Sequence, residues 1–266
     1  IFRGDSHLLD GPSPTFAKRS ILKLLYRQFD AFLPVGSANV DYFRFFGVPD
    51  RKLFVAPHAV DSEQFQITPE RQNNAAAERR RLGIPPEARV FLFSGKFTTK
   101  KRPDLLLSTF IKAAPTEAHL VLAGDGALKA KLKETAAGHP RVHFLEFANQ
   151  QSMSERYLLG DVFVLPSQGR YETWGLAVNE AMHLRRPCLV SDLVGCQRDL
   201  VTHLETGWVF PANDDKTLAK MLKEIAQCSS ETMRLISANA ATRVAQFNYA
   251  ATTAGLRRAL TAILPA

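Results

Sequence analysis

Short, nearly continuous apolar runs separated by longer amphipathic ones fill the middle of the chain and fix its class. The runs are VFLFS (90–94), HLVLA (119–123), VHFLEF (142–147), VFVL (162–165) and CLVS (188–191). A strand that is apolar on both faces must be covered on both faces, which is the pattern of a parallel sheet between helical layers. Helical spacing of apolar residues recurs between the runs, at 104–113, 128–137, 152–159, 176–183 and 217–227. The interleaving predicts one doubly wound α/β domain over roughly residues 88–240.

The flanks read differently. KLFVAPHAVDSEQF (52–65) has the look of a strand that leaves one lobe and crosses to another, and the polar, Ala/Arg-rich stretch after it that of a surface helix and loop. Residues 1–55 hold the strand-like IFRGDS and AFLPVG and two helical stretches, too little for a lobe of their own. They are expected to be the tail end of a first α/β domain. The absence of an initiating Met and of a signal peptide fits a fragment whose start lies upstream. FNYAATTAGLRRALTAIL near the end is an amphipathic helix that could pack back on the first lobe. The expected division is therefore 1–55, 56–244 and 245–266.

Composition narrows the partners. No apolar run approaches the length of a bilayer span. The formal net charge of +8 favours phosphate-bearing ligands, or else a solvated basic surface. Cys188, Cys196 and Cys228 have no metal-ligand spacing and leave an odd thiol, which fits reduced cysteines in a cytosolic protein.

Open α/β sheets bind ligands at the carboxyl ends of their strands. Three such loops stand out. In FSGKFTTKKRP a glycine, Gly95, ends the strand and Lys96, Lys100, Lys101 and Arg102 follow, cations suited to a di- or triphosphate. In AGDGALKAKL the Gly124-x-Gly126 pair lacks the third glycine of a dinucleotide fingerprint, with Lys129 in its place, so a tight turn is the better reading. In RYETWGLAVNEAM a helix starting near Trp174–Gly175 would leave free N–H groups for an anion. Glu172 precedes that start and Glu180 lies about five residues in, roughly 7 Å along the axis. That is about the span from a diphosphate to the ribose of one nucleotide. The plain alternative is a helix with ordinary dipole-compensating carboxylates.

Taken in order, these stretches resemble the retaining, nucleotide-sugar-dependent glycosyltransferases of family 4, above all through LPSQGRYETWGLAVNEAMHLRRPCLVSDLVGCQRDLVTHLETGWVF, which is similar to the family's Glu-x7-Glu region. The resemblance implies an α/β chain of GT-B type: one complete Rossmann-like C-terminal domain (56–244) that binds the nucleotide sugar, plus the C-terminal remnant (1–55) of a first Rossmann-like, acceptor-side domain. It also implies roles. Lys96 and Lys101 would neutralise the diphosphate, with Gly95 at the turn. Glu172 would hydrogen-bond the donor sugar and Glu180 the ribose. The backbone at Trp174, Gly175 and Leu176 would cap phosphate and sugar, and Phe147 with the residues to 150 would border the base. His7, at the end of the strand in IFRGDSH, would face the donor across the cleft. Departures from the family pattern are Lys96 where Arg is commoner, Glu146 for a usual Gly and Arg186 for a usual Gly.

The implied reaction moves a sugar from a nucleoside-diphosphate sugar to a hydroxyl of a glycan, lipid-linked or small-molecule acceptor with retention of configuration. No cofactor is implied, and no Asp-x-Asp metal motif is present, so protein cations would carry the leaving-group charge. Rivals are a GT-B nucleotide-sugar epimerase and a non-catalytic basic nucleotide-binding or membrane-surface module. The latter draws on FAKRSILKLLYRQF, with Ile21, Leu22, Leu25 and Phe29 towards one face, although burial of that face in the domain is the expected reading. Nucleic-acid binding is not expected, because no recognisable module interleaves the basic residues with aromatics.

Overall fold

The computed structural model describes the chain except residues 10, 12, 13, 150, 151, 170, 171, 265 and 266. Its centre is a six-stranded, all-parallel sheet built from β3 (Arg89–Ser94), β4 (Ala118–Ala123), β5 (Val142–Leu145), β6 (Val162–Leu165), β7 (Cys188–Ser191) and β8 (Gly207–Phe210). The spatial order is β5-β4-β3-β6-β7-β8, so the winding direction reverses between β3 and β6. Both neighbours of this switch point are apolar on both faces: every residue of β4 and β6 is buried, and all of β3 after Arg89.

Helices cover both faces, as the apolar runs require. On one side lie α3 (Pro69–Arg81), α6 (Met153–Leu158), α7 (Leu176–His183) and α10 (Ser230–Val244), over a core that includes Leu92, Phe163, Val178, Met182 and Val190. On the other lie α4 (Pro103–Ala113), α5 (Lys129–Ala136) and α9 (Asp215–Ala226), over Phe91, Phe93, Leu106, Phe110 and Phe210. Local chemistry sets several starts. Thr68, Asp214 and Ser229 accept from the N–H three residues on, and Pro69 and Pro103 occupy first-turn positions that lack an N–H partner anyway.

A second, smaller layer pairs β1 (Phe2–Arg3) with β2 (Phe32–Leu33) in parallel, flanked by α1 (Phe16–Tyr26) and α2 (Ser37–Phe45). Phe2, Tyr26, Phe29, Phe32, Phe43 and Phe46 pack as an aromatic cluster, with Phe32 and Phe43 centroids 5.1 Å apart. The last helix, α11 (Tyr249–Ile263), packs through Ala259 and Ile263 against Ala31, Leu33 and Ala56.

Three sequence expectations need correction here. Residues 52–65 form no regular strand; Asp50–Lys52 is a 3-10 turn, and the chain beyond runs beside β2 through Phe54 N–H to Phe32 O and Ala56 N–H to Pro34 O, 2.9 Å each. The inward face of α1 is rotated from the expected one: Leu22 and Tyr26 turn inward, whereas Ile21 is 66% and Leu24 63% exposed, and Leu25 is exposed too. The backbone that suits glycine before β7 is that of Arg185, left-handed at φ 55°, rather than that of Arg186. Arg186 instead tucks its side chain under α6, where burial lowers its pKa.

Candidate active site

The carboxyl ends of β3 and β6, on either side of the switch point, carry the site. Beyond β3 the backbone turns at Gly95, whose φ of 155° is open to glycine and strained for other residues. Behind it lies the turn after β4. A Cβ on Gly124 would collide with the Gly95 carbonyl, and one on Gly126 would come within 2.7 Å of Phe97 O. The Gly124-x-Gly126 pair is thus a close-packing turn, held further by Phe97 N–H to Asp125 O at 2.7 Å. Beyond β6, Gln168 ties the two rims together: its N–H donates to Lys100 O at 2.9 Å and its Nε2 to Thr99 O at 3.1 Å.

This stapling brings Lys101 to Glu172. The Nζ–Oε2 distance is 2.9 Å, and Ser167 Oγ donates to the same oxygen at 2.9 Å. Glu172 is 7% exposed. An ion pair so far from water persists only when its members are well satisfied. Lys101 also faces the second carboxylate. Burial raises the pKa of Glu180, while the hydrogen bond from Tyr157 and the charge of Lys101 pull it down. Tyr157 OH donates to Glu180 Oε2 at 2.6 Å from a fully buried ring. Lys101 and both glutamates therefore share one side of the sheet.

Helix α7 points its amino end into the same region. It starts at Leu176, with Gly175 at φ 98° as its N-cap residue and no side-chain cap; Val178 N–H turns back to Gly175 O at 2.8 Å, and the N–H groups of Leu176 and Ala177 head the helix towards an anion. Trp174 lies buried behind this start, its Nε1 donating to Asn179 Oδ1 at 2.8 Å, whereas Leu176 is 42% exposed. His7 reaches in from the smaller layer. Its Nδ1 accepts from Leu9 N–H at 3.2 Å, which leaves the proton on Nε2 to donate to Glu172 O at 3.2 Å.

The remaining expected residues sit at the margins. Lys96 is exposed on the Gly95 turn, outside the Lys101–Glu172 pair. Phe147 lies past the end of β5 and is 56% exposed; Gln150, expected to border the base with it, is outside the described residues, as are Arg170 and Tyr171. Lys129, which stands in place of a dinucleotide fingerprint's third glycine, and Glu146, which departs from the family pattern, turn out to be partners: Lys129 Nζ bonds Glu146 Oε2 at 2.9 Å and Asp125 Oδ2 at 2.9 Å. Sequence reading passed over Ser167 and Tyr157, which hold the two carboxylates. Ser167 lies two residues past the β6 run, after Pro166, and had a signal in its position. Tyr157 had none, because a buried tyrosine on a helix reads as core.

The chain matches the family described as glycosyl transferases group 1 over residues 74–243. It is 30% identical over 231 residues to a D-inositol 3-phosphate glycosyltransferase of Geodermatophilus obscurus, covering 82% of this chain and 49% of that protein. It is 28% identical over 241 residues to the sulfoquinovosyl transferase SQD2 of Arabidopsis thaliana, covering 90% and 46% respectively. The chain spans about half the length of the curated relatives it matches. Among solved structures, Anabaena Alr3699/HepE in complex with UDP and glucose superposes with a TM-score of 0.78 at 17% identity, over 98% of this chain and 70% of that one. That identity speaks for the fold alone, which is GT-B. The family match runs from α3 to α10, across the whole six-stranded sheet, and the chain belongs to the group 1 glycosyl transferases.

Proposed function

We propose that the protein transfers a sugar from a nucleoside-diphosphate sugar to an acceptor hydroxyl with retention of configuration. The observation that carries this reading is the convergence of Lys101, Glu172 and Glu180 beside the uncapped amino end of α7. Glu172 holds Lys101 as a phosphate would. An arriving diphosphate takes over that cation and the α7 N–H groups, with Lys96 closing from the exposed side of the turn. The sugar then lies against Glu172 and the ribose against Glu180, whose burial cost is relieved when ribose hydroxyls donate to it.

As the glycosidic bond breaks, charge grows on the β-phosphate. Fixed cations and helix N–H groups stabilise that charge more than they stabilise the ground state, so the rate effect is electrostatic. Glu172 is not placed as a nucleophile in this reading: its Oε2 is engaged by two donors, and its task is to orient sugar hydroxyls. His7 would face the donor from the smaller layer, and the acceptor would be a glycan, a lipid-linked molecule or a small molecule. No cofactor is invoked. A cytoplasmic setting with reduced cysteines belongs to the same reading.

A thermal-shift screen of nucleoside diphosphates and their sugars tests it, because a ligand bound only by the folded state raises its melting temperature. At least one nucleotide should stabilise the protein, and Lys101→Met should abolish the shift. Stabilisation that survives in both Lys101→Met and Glu172→Ala would remove the assignment.

One observation favours an additional peripheral membrane contact. Phe16, Ile21, Leu24 and Leu25 are exposed on α1, in a sequence that also carries Lys18, Lys23 and Arg27. No helix among the described residues is long and apolar enough to cross a membrane. Sedimentation with anionic liposomes at low and high salt tests this contact; recovery in the supernatant at both salts rejects it.

A further inference from the structure

Gly36 carries a steric demand that its backbone does not explain. Its φ is −179°, extended backbone that any residue adopts. What it lacks is space: a Cβ there would collide with the Trp174 ring and approach Asp199 Oδ2 to 2.7 Å. Trp174 lies in the loop before α7 and Asp199 in the short helix α8 (Gln197–Leu200) after β7, while Gly36 is the N-cap residue of α2 in the smaller layer. The three residues meet as a close-fitting contact between the two layers.

Asp199 completes that contact. Its Oδ1 and Oδ2 accept from Ser37 N–H at 3.1 and 3.0 Å, and its Oδ2 accepts from Ser37 Oγ at 2.9 Å. A carboxylate at the first turn of α2 satisfies N–H groups that have no partner within the helix and complements its dipole. Arg243 Nε fixes the Asp199 backbone through its carbonyl at 2.6 Å.

From Asp199 the contact reaches the site in one step of chain. Gly195 N–H donates to Glu172 O at 3.1 Å, and Cys196 N–H donates to Trp174 O at 2.8 Å. Gly195 has no room for a side chain, because a Cβ would collide with the Thr173 carbonyl. The segment from Gly195 to Asp199 therefore backs the segment from Glu172 to Trp174. Two further bonds from the smaller layer hold the same segment: Thr173 Oγ1 to Asp5 Oδ2 at 2.8 Å and His7 to Glu172 O at 3.2 Å.

We propose that Gly36, Trp174 and Asp199 form a keyed contact through which the smaller layer positions the Glu172 segment and the start of α7, which makes Trp174 and Asp199 positioning residues of the site. The inference rests on the sugar-nucleotide reading for its effect on binding, and on geometry alone for its effect on the loop. The smaller layer thus contributes to donor binding from outside the donor pocket, by setting the loop that lines it.

The test is a double-mutant cycle on the 266-residue chain, read by the affinity for UDP, GDP or ADP, whichever binds, and by amide hydrogen exchange of segments 172–176 and 194–197. Gly36→Ala should weaken nucleotide binding about tenfold and speed exchange in those two segments, while the β4 amides exchange as before. Trp174→Phe removes the ring atoms that the new methyl would strike and leaves only the approach to Asp199 Oδ2, so Gly36→Ala should cost clearly less in that background than in wild type; such non-additivity is the mark of direct contact. Asp199→Ala should match Gly36→Ala, and the exposed partner of Arg198, Asp41, should tolerate Ala without effect on either readout. If Gly36→Ala does not fold, Asp199→Ala in the same two readouts decides the matter. Wild-type binding and exchange in Gly36→Ala, or losses that simply add in the double mutant, would overturn the keyed contact. Wild-type protein that binds none of the three nucleotides would count against the sugar-nucleotide reading, and the exchange data would still decide the contact.

Discussion

The two rims of the six-stranded sheet differ in how fully they satisfy their partly buried carboxylates. At the amino rim, Asp161 just ahead of β6 is saturated: Arg79 Nη2 donates to it at 2.9 Å and Val90 N–H at 2.8 Å. There the two histidines of β4 and β5, His119 and His143, stack at 5.2 Å and share a hydrogen bond of 2.9 Å. At the carboxyl rim, Glu180 receives a single side-chain bond, from Tyr157, and is held where burial opposes its charge. The difference between the rims lies at Glu180, and in the function proposed above the ligand binds at the end that holds this under-solvated carboxylate.

The contrast can be broken by substitution. The largest effect is expected at Lys101→Met, which should lower sugar transfer by about 100-fold, the scale of losing one preorganised charge at a developing anion. Turnover assays on the purified variant check it. Next comes Arg79→Met at the amino rim. It should cost about 1–2 kcal/mol in urea unfolding, since the Asp161 pair is partly shielded, and leave nucleotide affinity unchanged. Affinity that falls with stability would erase the distinction between the rims.

Glu180→Gln separates stability from function more finely. Because the folded pKa of Glu180 is raised, its ionised form opposes folding, and stability declines as pH rises through that pKa. The amide removes the charge and can still accept from Tyr157. The unliganded variant should therefore melt about 2 °C higher at pH 7 while binding nucleotide more weakly. The smallest effect concerns His143, whose pKa is lowered to about 4 by burial and by His119. A histidine held neutral in the fold loses stability for the protein as pH drops below its unfolded value near 6.5. Near pH 6.5 the loss should be about 0.4 kcal/mol, and His143→Gln should flatten the slope of stability against pH between 6.5 and 4.

Much of this architecture was legible as pattern. β6, α7 and β7 lie at the residues their apolar runs predict, because continuous burial leaves no ambiguity of period. β8 and α10 were passed over. β8 is four residues long and starts at a glycine. The inward face of α10 includes Ala240 beside Met233, Ile236 and Val244, a face too small to stand out in apolar spacing. The α1 reading held for Leu22 and Phe29 and failed for Ile21 and Leu25 for another reason: apolar residues line two faces of that helix, and only packing against Phe2, Phe32 and Phe43 decides which turns inward.

The site was legible in part. Gly95, Lys101, Glu172 and Glu180 are residues whose type and position after a strand or in a helix start carry meaning on their own. Their partners are not of that kind. Ser167 Oγ, Tyr157 OH and the Gln168 amide act through three-dimensional proximity, and Asp199 acts on a helix 162 residues earlier in the chain. The Lys129–Glu146 pair shows how departures from two different patterns, each odd alone, make sense once they are seen in contact.

The pressed glycines at Gly95 and Gly124 have a mechanical consequence. With no side chain between them, the lysine-bearing turn has the β4 turn as a rigid backstop, and Phe97 and Lys129 fasten that backstop to the rim at Glu146. The three loops touch in series, so a displacement of the lysine-bearing turn would press on the β4 turn and, through Lys129, on Glu146.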